Sequence, residues 1–171
     1  MRESFRFFVT LALLLATGVN AAAPRAMTSF SGPSKCSLKF AVTSEGKAVV
    51  DILLEGERHT LFLDTGCTTV LDLAVARRLG LNPVESSEVA TSITGIGGTI
   101  WLARVDMQIG EMKITGMPIG CLDLSGLRAL NKNQGQPDLD GLVGADLLAI
   151  LRAQIDYNSN KLTIRRPEHI P

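Results

Sequence analysis

The stretch that decides the fold of this chain reads LFLDTG and covers residues 61–66. Its three apolar residues predict a buried strand that runs directly into Asp64. A carboxylate at the edge of a core is costly unless it is hydrogen-bonded. Gly66 allows the backbone to turn so that amide groups lie near the carboxylate, and the hydroxyl of Thr65 can anchor the loop. An ordinary Asx turn at the end of a strand fits the same tripeptide. The rest of the chain has to decide between such a turn and a functional loop.

Two glycine-containing segments lie downstream of this stretch. The first reads TGIGGTI at residues 94–100. Strand-forming runs at 89–96 and 99–105 flank Gly97-Gly98, which predicts a hairpin able to cover a cleft and present backbone groups to an extended ligand. The second reads GLVGADLL at residues 141–148 and predicts a buried strand joined directly to a helix. Taken alone, the first also fits a surface hairpin and the second fits simple core packing.

The remaining pattern predicts an all-β domain with two or three short helices and no internal repeat. Alternating or apolar runs predict strands at 37–42, 48–54, 58–63, 105–109, 112–115, 117–122 and 142–143, and a closing hairpin at 153–157 and 161–165. Good helix formers predict helices at 73–80, 124–130 and 145–151, the first of them ending on Gly80. The longest loop is expected at 131–141, which is polar and contains Gly135 and Pro137.

The N-terminal segment has the order of a secretory signal peptide. Residues 1–6 carry two arginines, residues 7–19 are almost wholly apolar, and small residues follow. We therefore assign residues 1–22 to a signal peptide cleaved after Ala21 or Ala22, which predicts export across the inner membrane to the periplasm. An uncleaved segment that anchors the protein in the membrane is the alternative. We expect a flexible leader at 23–35, the folded domain at 36–166 and a short tail at 167–171.

Composition indicates a single domain and gives no sign of a nucleic-acid-binding protein. The 171 residues suit one domain, and 17 basic residues balance 17 acidic ones, so nothing favours a nucleic-acid partner. The charges are scattered, and basic pairs such as Arg77-Arg78 and Arg165-Arg166 are interpreted as solvated surface.

Neither the cysteines nor the histidines indicate a metal site. The three cysteines are an odd number, so one at least stays unpaired, and export would permit a disulfide between Cys36 and Cys121. His59 and His169 are far apart in the chain and are expected to be surface or partly buried residues.

The three glycine-containing motifs, in this order, resemble those of the retropepsin family and its single-domain bacterial relatives. The Asp-Thr-Gly loop, the glycine-rich hairpin at 95–98 and the apolar-apolar-Gly segment at 142–144 are all present, and the likeness covers most of 36–166. The resemblance implies a retropepsin-like fold, a closed β-barrel or sandwich with a glycine-rich hairpin called the flap. It also implies an aspartic-type endopeptidase without a metal or organic cofactor.

The resemblance further implies the site residues. Members of the family use two carboxylates about 3 Å apart that share a proton. This chain has one Asp-Thr-Gly, so its catalytic Asp64 would meet the Asp64 of a second copy in a homodimer that hydrolyses peptide or protein substrates. The implied active-site loop is completed by Thr65, Gly66 and Cys67, and Thr65 would interlock beneath the two carboxylates. The implied flap residues are Gly95, Ile96, Gly97 and Gly98, and the implied pocket residues, which favour apolar substrates, are Thr68, Ile100, Val143 and Gly144.

Three features depart from the pattern of the family. Cys67 stands where Ala or Ser is usual, and its oxidation would block the site. Thr68 and Ala145 stand where retroviral members carry an acidic residue and an arginine, so an ion pair that supports the dimer is missing. The segment 131–141 has no clear retroviral counterpart.

Three other functions remain open on the sequence alone. A non-catalytic peptide-binding or assembly domain of the cell envelope would keep the fold without aligning two Asp64 side chains. A thiol enzyme would use Cys67 with His59 as its base. A structural envelope protein would need no chemistry at all.

Overall fold

The computed structural model describes residues 27–91 and 97–168. These residues form strands and three short helices. The strands are β1 (Ser29–Ser31), β2 (Lys35–Lys39), β3 (Ala41–Val42), β4 (Ala48–Leu54), β5 (Glu57–Asp64), β6 (Val70–Asp72), β7 (Val84–Thr91), β8 (Gly97–Ile109), β9 (Met112–Leu122), β10 (Gly141–Gly144), β11 (Gln154–Asp156) and β12 (Lys161–Arg165). The helices are α1 (Leu73–Arg78), α2 (Ser125–Asn133) and α3 (Ala145–Ile150).

The main sheet has the strand order β1-β9-β6-β10-β5-β4-β8-β7, and β3 joins it by pairing with β4. Because β8 also pairs with β9, the sheet returns on itself and encloses a core in a sandwich-like arrangement. A separate small sheet has the order β11-β12-β2. The all-β prediction with two or three short helices is therefore confirmed. Within the described residues no helix has the length and apolar character to cross a bilayer.

Side-chain alternation along β5 divides the interior into two hydrophobic clusters. Leu61 and Leu63 face the larger cluster, whereas Phe62 between them faces the smaller one, as expected of a strand with both faces covered. We call the smaller group the site cluster. It consists of Val49, Phe62, Cys67, Val70, Ala90, Ile100, Leu122, Leu124, Leu139 and Leu142.

Strand β10 lies between β5 and β6 in the main sheet. It runs parallel to β5, with Val143 beside Leu63 and Gly144 beside Asp64, and antiparallel to β6. The short strand β6, which the sequence did not predict, leads directly into α1. The side chain of Asp72 caps this helix by accepting hydrogen bonds from the backbone N–H of Ala74 at 2.9 Å and of Val75 at 3.2 Å. The helix ends at Arg78, two residues before the predicted end, and Gly80 follows in a left-handed conformation with φ 74°.

Several predicted boundaries were wrong. Part of the expected leader is β1, where Phe30 packs against the core and Ser29–Ser31 pair with β9. The strand predicted at 37–42 is interrupted at Phe40, whose ring is buried. Two predicted pairs of short strands are the continuous β8 and β9, since a register shift between Val105 and Met107 lets both bend without a break. Helix α2 continues into the predicted loop.

The turn of the glycine-rich hairpin was also misplaced. Gly97 pairs with Thr91 and Gly98 with Ala90, so both glycines are the first residues of β8 rather than the turn. Residues 92–96, between the two strands, lie outside the described residues.

Candidate active site

Asp64 is the last residue of β5 and is half-buried. The backbone N–H of Gly66 donates a hydrogen bond to Asp64 Oδ1 at 2.8 Å, the contact that the Asp-Thr-Gly sequence predicts. Thr65 between them is exposed. The carboxylate is thus oriented by its own loop while its neighbour projects towards solvent.

The junction of β10 and α3 holds the active-site loop, which we define as residues 64–69. The N–H of Ala145 donates to the carbonyl of Cys67 at 2.7 Å, and the N–H of Gly144 donates to Thr69 Oγ1 at 3.0 Å. Asp146 Oδ1 accepts from both the N–H and the hydroxyl of Thr69, each at 2.7 Å. Three consecutive residues therefore fix the far end of the loop with charge-assisted and backbone hydrogen bonds.

Only glycine fits at position 144. A Cβ added there would collide with the backbone of Thr68 and Thr69, and would lie 2.5 Å from the carbonyl oxygen of Cys67. The loop and β10 therefore touch backbone to backbone. This close approach makes the hydrogen bonds from Gly144 and Ala145 possible.

Cys67 is buried beneath the loop with 4% of its surface exposed. Its thiol donates to the carbonyl of Asp64 at 3.6 Å. Burial, reinforced by the negative charges of Asp64 and Asp146, raises the pKa of this thiol to about 12. A nucleophilic cysteine needs the opposite shift, so the thiol is a neutral packing group at ordinary pH.

His59 is engaged elsewhere and gives no support to a thiol enzyme. Its Nδ1 lies 3.0 Å from Asp140 Oδ2, and 3% of its surface is exposed. The expectation of a surface or partly buried histidine was wrong, because the ring lies on the inward-facing side of β5. Cys36, Cys67 and Cys121 are all free and buried, so the proposed pair of Cys36 with Cys121 is not a disulfide.

Three of the four predicted pocket residues lie in the interior of the single chain. Ile100 and Val143 are only 2% and 1% exposed, and Gly144 is buried as well. The reason is that β10 is buried along its whole length, whereas Ile100 lies on the inward-facing side of β8, whose other face is exposed at Leu102. Thr68 is half-buried as a residue, but its Oγ1 is itself buried and has no hydrogen-bond partner in the described part of the chain.

The base of the flap hairpin packs on the loop from the other side. Ala90 of β7 and Ile100 of β8 belong to the site cluster together with Cys67 and Val70. Gly97 and Gly98 begin β8, whereas Gly95 and Ile96 lie outside the described residues. The described part of the hairpin is therefore rooted in the same cluster that supports the loop.

The segment after β9 also reaches this cluster. Arg128 of α2 makes two hydrogen bonds to the carboxylate of Asp138, at 2.9 and 2.6 Å, and this pairing lowers the pKa of Asp138. Arg128 also lies 3.7 Å from the helix-capping Asp72. Leu139, 1% exposed, inserts into the site cluster. The segment predicted as a polar loop is thus the end of α2 followed by irregular backbone that carries Leu139 into the cluster.

Sequence reasoning missed Thr69 and Asp146. Both were visible as a hydroxyl residue within the loop and a carboxylate in the first turn of a helix, where acidic residues favour the helix dipole. Nothing in the sequence placed them together. Among the described residues, no group of three or more His, Cys, Asp or Glu side chains is arranged to hold a metal ion.

The closed sheet and the strand-to-loop carboxylate define the class of this protein as the retropepsin-like acid protease fold. A family model described as Aspartyl protease matches residues 50–147, more than half of the chain. The chain therefore belongs to the aspartyl protease family.

Solved structures show the same fold. A retropepsin-like aspartic protease from Rickettsia conorii is 16% identical with a TM-score of 0.51, over 82% of this chain and 94% of that chain. The EIAV protease complexed with the inhibitor HBY-793 is 18% identical with a TM-score of 0.50, over 68% of this chain and 98% of that chain. No curated protein matches the sequence.

Proposed function

We propose that this protein is an aspartic-type endopeptidase, a hydrolase that works as a homodimer with one Asp64 from each copy. The observation that carries the proposal is the position of Asp64. It ends an inner strand, it is half-buried, and the amide of Gly66 holds one of its oxygens at 2.8 Å. A carboxylate fixed in this way has a defined direction in which to meet a second one.

The chemistry needs two carboxylates about 3 Å apart, because like charges at that distance share one proton. The ionised carboxylate removes a proton from a water molecule, which attacks the scissile carbonyl. The protonated one donates a hydrogen bond to the carbonyl oxygen. The proton then passes to the leaving nitrogen, and the peptide bond is cleaved.

Four other aspartates, which could in principle supply a second carboxylate from the same chain, are engaged in contacts of their own. Asp138 binds Arg128, Asp140 binds His59, and Asp146 holds Thr69. Asp156 accepts hydrogen bonds in the turn that it begins, from Asn158 and Ser159. A second copy of Asp64 is therefore the simplest source of the missing group, and two-fold symmetry supplies it. The exposed Thr65 beside it is placed to interlock with its counterpart.

The substrate we propose is an extended peptide or protein segment. An extended chain presents alternate side chains to pockets and its backbone to the flap, which in the proposed enzyme includes Gly95 to Gly98. Apolar residues flanking the cut are the expected preference.

We also propose that the protein is secreted to the periplasm, on the basis of the basic, apolar and small segments at 1–22. N-terminal sequencing of the protein from the periplasmic fraction tests this. A mature chain starting at residue 22 or 23 supports cleavage, whereas an intact N-terminus in the membrane fraction supports the anchored alternative.

The test of function is cleavage of a mixed peptide library between pH 4 and 7 by the purified protein, wild type beside Asp64→Asn. The wild type is expected to cleave and the variant to lose at least about a thousandfold in rate, since one member of the acid–base pair is gone. Asp51→Asn is the matched control. Asp51 is exposed and its side chain contacts Thr60 and Arg58, so its loss should leave cleavage unchanged.

Sizing of the same samples separates the alternatives. Cleavage that survives in Asp64→Asn would exclude the aspartic mechanism. No cleavage by the wild type at concentrations where it is a dimer would favour the non-catalytic peptide-binding domain, and binding of the same peptides would then be measured.

A further inference from the structure

Four basic side chains from separate parts of the chain surround one groove at the edge of the small sheet. The groove has a volume of about 850 Å³, and its nine lining residues include Lys35, Arg152, Arg165 and Arg166. Of the lining residues that the structure describes, Glu168 alone is acidic. The scattered charges of the sequence are thus gathered by the fold into a local excess of positive charge.

Backbone hydrogen bonds bring these segments together. The N–H of Arg165 donates to the carbonyl of Leu151 at 2.7 Å, and the N–H of Arg166 donates to the carbonyl of Ser34 at 2.9 Å. The end of β12 is therefore fixed to the turn after α3 on one side and to the start of β2 on the other. The fold therefore fixes the backbone positions of Arg165 and Arg166 at the groove.

Among the described residues, the positive charges of the groove repel one another more than they are neutralised. Lys35 and Arg165 stand directly opposite each other on neighbouring strands, and like charges at such positions destabilise a sheet. The side chains of Lys35, Arg152 and Arg165 form no ion pair with any residue in 27–91 or 97–168. Of the four cations, Arg166 alone has a side-chain partner there, the carbonyl of Gly32 at 3.0 Å.

Arg152 adds a second sign of function. It has a left-handed backbone conformation, φ 43°, just after α3, where glycine or asparagine would be strained least. An arginine in this conformation costs stability, and such residues are concentrated at binding sites.

We propose that this groove binds a phosphate ester. Arginine presents a planar fork of donors that matches phosphate oxygens, and the hydroxyls of Ser29 and Ser34 supply further donors. The organic part of the ester would contact Phe30 and Pro167, which line the same groove. The volume lies in the range of small-ligand pockets, roughly 300–1,000 Å³. This site is independent of Asp64 and of the proposed protease activity.

The ester can be a soluble molecule or a phospholipid headgroup, and two probes distinguish them. Glycerol 3-phosphate is titrated calorimetrically, and vesicles of phosphatidylglycerol are sedimented with the protein beside vesicles of phosphatidylcholine. The wild type should bind at least one of the two probes, with an affinity that falls as salt rises. It should not bind phosphatidylcholine.

The test variant is Lys35→Gln/Arg152→Gln/Arg165→Gln. Binding to anionic vesicles should fall about fivefold for each cation removed, and binding of glycerol 3-phosphate at least about tenfold. Since none of these side chains has an ion-pair partner among the described residues, the melting temperature should not fall. If the triple variant does not fold, Lys35→Gln/Arg165→Gln replaces it, with a smaller loss expected.

The matched control removes three exposed cations elsewhere, in Arg58→Gln/Arg78→Gln/Lys132→Gln. It should bind as the wild type does, and an equal loss in the control would overturn the proposal in favour of general charge attraction. Binding of neither probe by the wild type would also overturn it. So would binding of a polyglutamate peptide in place of both probes, which would assign the groove to an acidic protein segment.

Discussion

The active-site loop and the groove lined by Lys35, Arg152, Arg165 and Arg166, which we call the basic groove, use charge in opposite ways. In the loop, Asp146 accepts two hydrogen bonds at 2.7 Å and Asp64 accepts one at 2.8 Å, so each carboxylate has a specific protein partner. In the groove, Lys35 and Arg165 face each other with no ion-pair partner among the described residues. The comparison teaches that the charges which organise the loop are satisfied within the fold, whereas those of the groove have no charged partner among the described residues and are free to meet the ligand that we propose. Substitutions should therefore have opposite effects on stability in the two regions.

The largest effect is expected where the loop meets β10. Gly144→Ala places a methyl group against the backbone of Thr68 and Thr69, which cannot yield as a flexible side chain can. We expect the free energy of unfolding to fall by about 3 kcal/mol or more, measured by urea denaturation. Gly126→Ala is the control, because nothing lies within 4 Å of its added Cβ and alanine favours helix α2. Equal stability of the two variants would refute the packing argument.

Removing the carboxylate of Asp146 should have the next largest effect. Asp146→Ala leaves the N–H and hydroxyl of Thr69 without an acceptor, so we expect a loss of about 2–3 kcal/mol in stability. If the protein is a peptidase, the rate of cleavage should fall as well. Asp146→Asn keeps an oxygen in the same place and should recover most of both. A variant with alanine that matches the wild type in stability and activity would show that the loop is held by other contacts.

The pH dependence of stability gives a smaller effect from the same loop. The folded state raises the pKa of the Cys67 thiol from 9.0 to about 12, so the unfolded chain loses this proton first. The stabilising contribution is complete below pH 9 and is lost as pH rises from 9 towards 12, by about 1.4 kcal/mol per unit at most. In urea unfolding at pH 8 and pH 10, Cys67→Ala should show a shallower decline than the wild type. Identical declines would mean that the thiol is already solvated in the folded protein.

The smallest change in stability is expected from substitutions in the basic groove, and it should have the opposite sign from the changes in the loop. Lys35→Gln/Arg165→Gln removes a repulsion and breaks no ion pair of the described residues, so stability should stay the same or rise by up to about 0.5 kcal/mol. Thermal unfolding at low ionic strength measures it best, because salt screens the repulsion. A loss of more than about 1 kcal/mol would mean that these cations support the fold, and the contrast between the two regions would fail.

The fold was largely predictable because its signals are local. The LFLD run, the alternation in β4 and the helix formers of α1 each determine their element within a few residues, and the motif order pointed to the retropepsin-like fold. The hydrogen bond between Gly66 and Asp64 could be predicted for the same reason, since it spans two residues.

Contacts between distant segments could not be predicted. The hydrogen bond between Thr69 and Asp146 spans 77 positions, and a sequence pattern carries no information about which carboxylate approaches which hydroxyl. The burial of the pocket candidates Ile100 and Val143 could not be predicted either, because burial depends on strands that pair later in the chain. The basic groove combines residues 35, 152 and 165–166, which appear as unrelated surface charges in the sequence.

The parallel pairing of β10 with β5 has a consequence for the order of folding. Residues 57–64 leave the ribosome long before residues 141–144, and the two strands must close a large loop of chain before they can pair. Until then, Asp64 has its own turn but lacks the supports from Gly144, Ala145 and Asp146. The complete site can therefore form only after residues 141–146 have been made, and a nascent or truncated chain that ends before residue 141 carries the motif without the geometry. Late assembly of this kind delays any hydrolysis until almost the whole domain has been made.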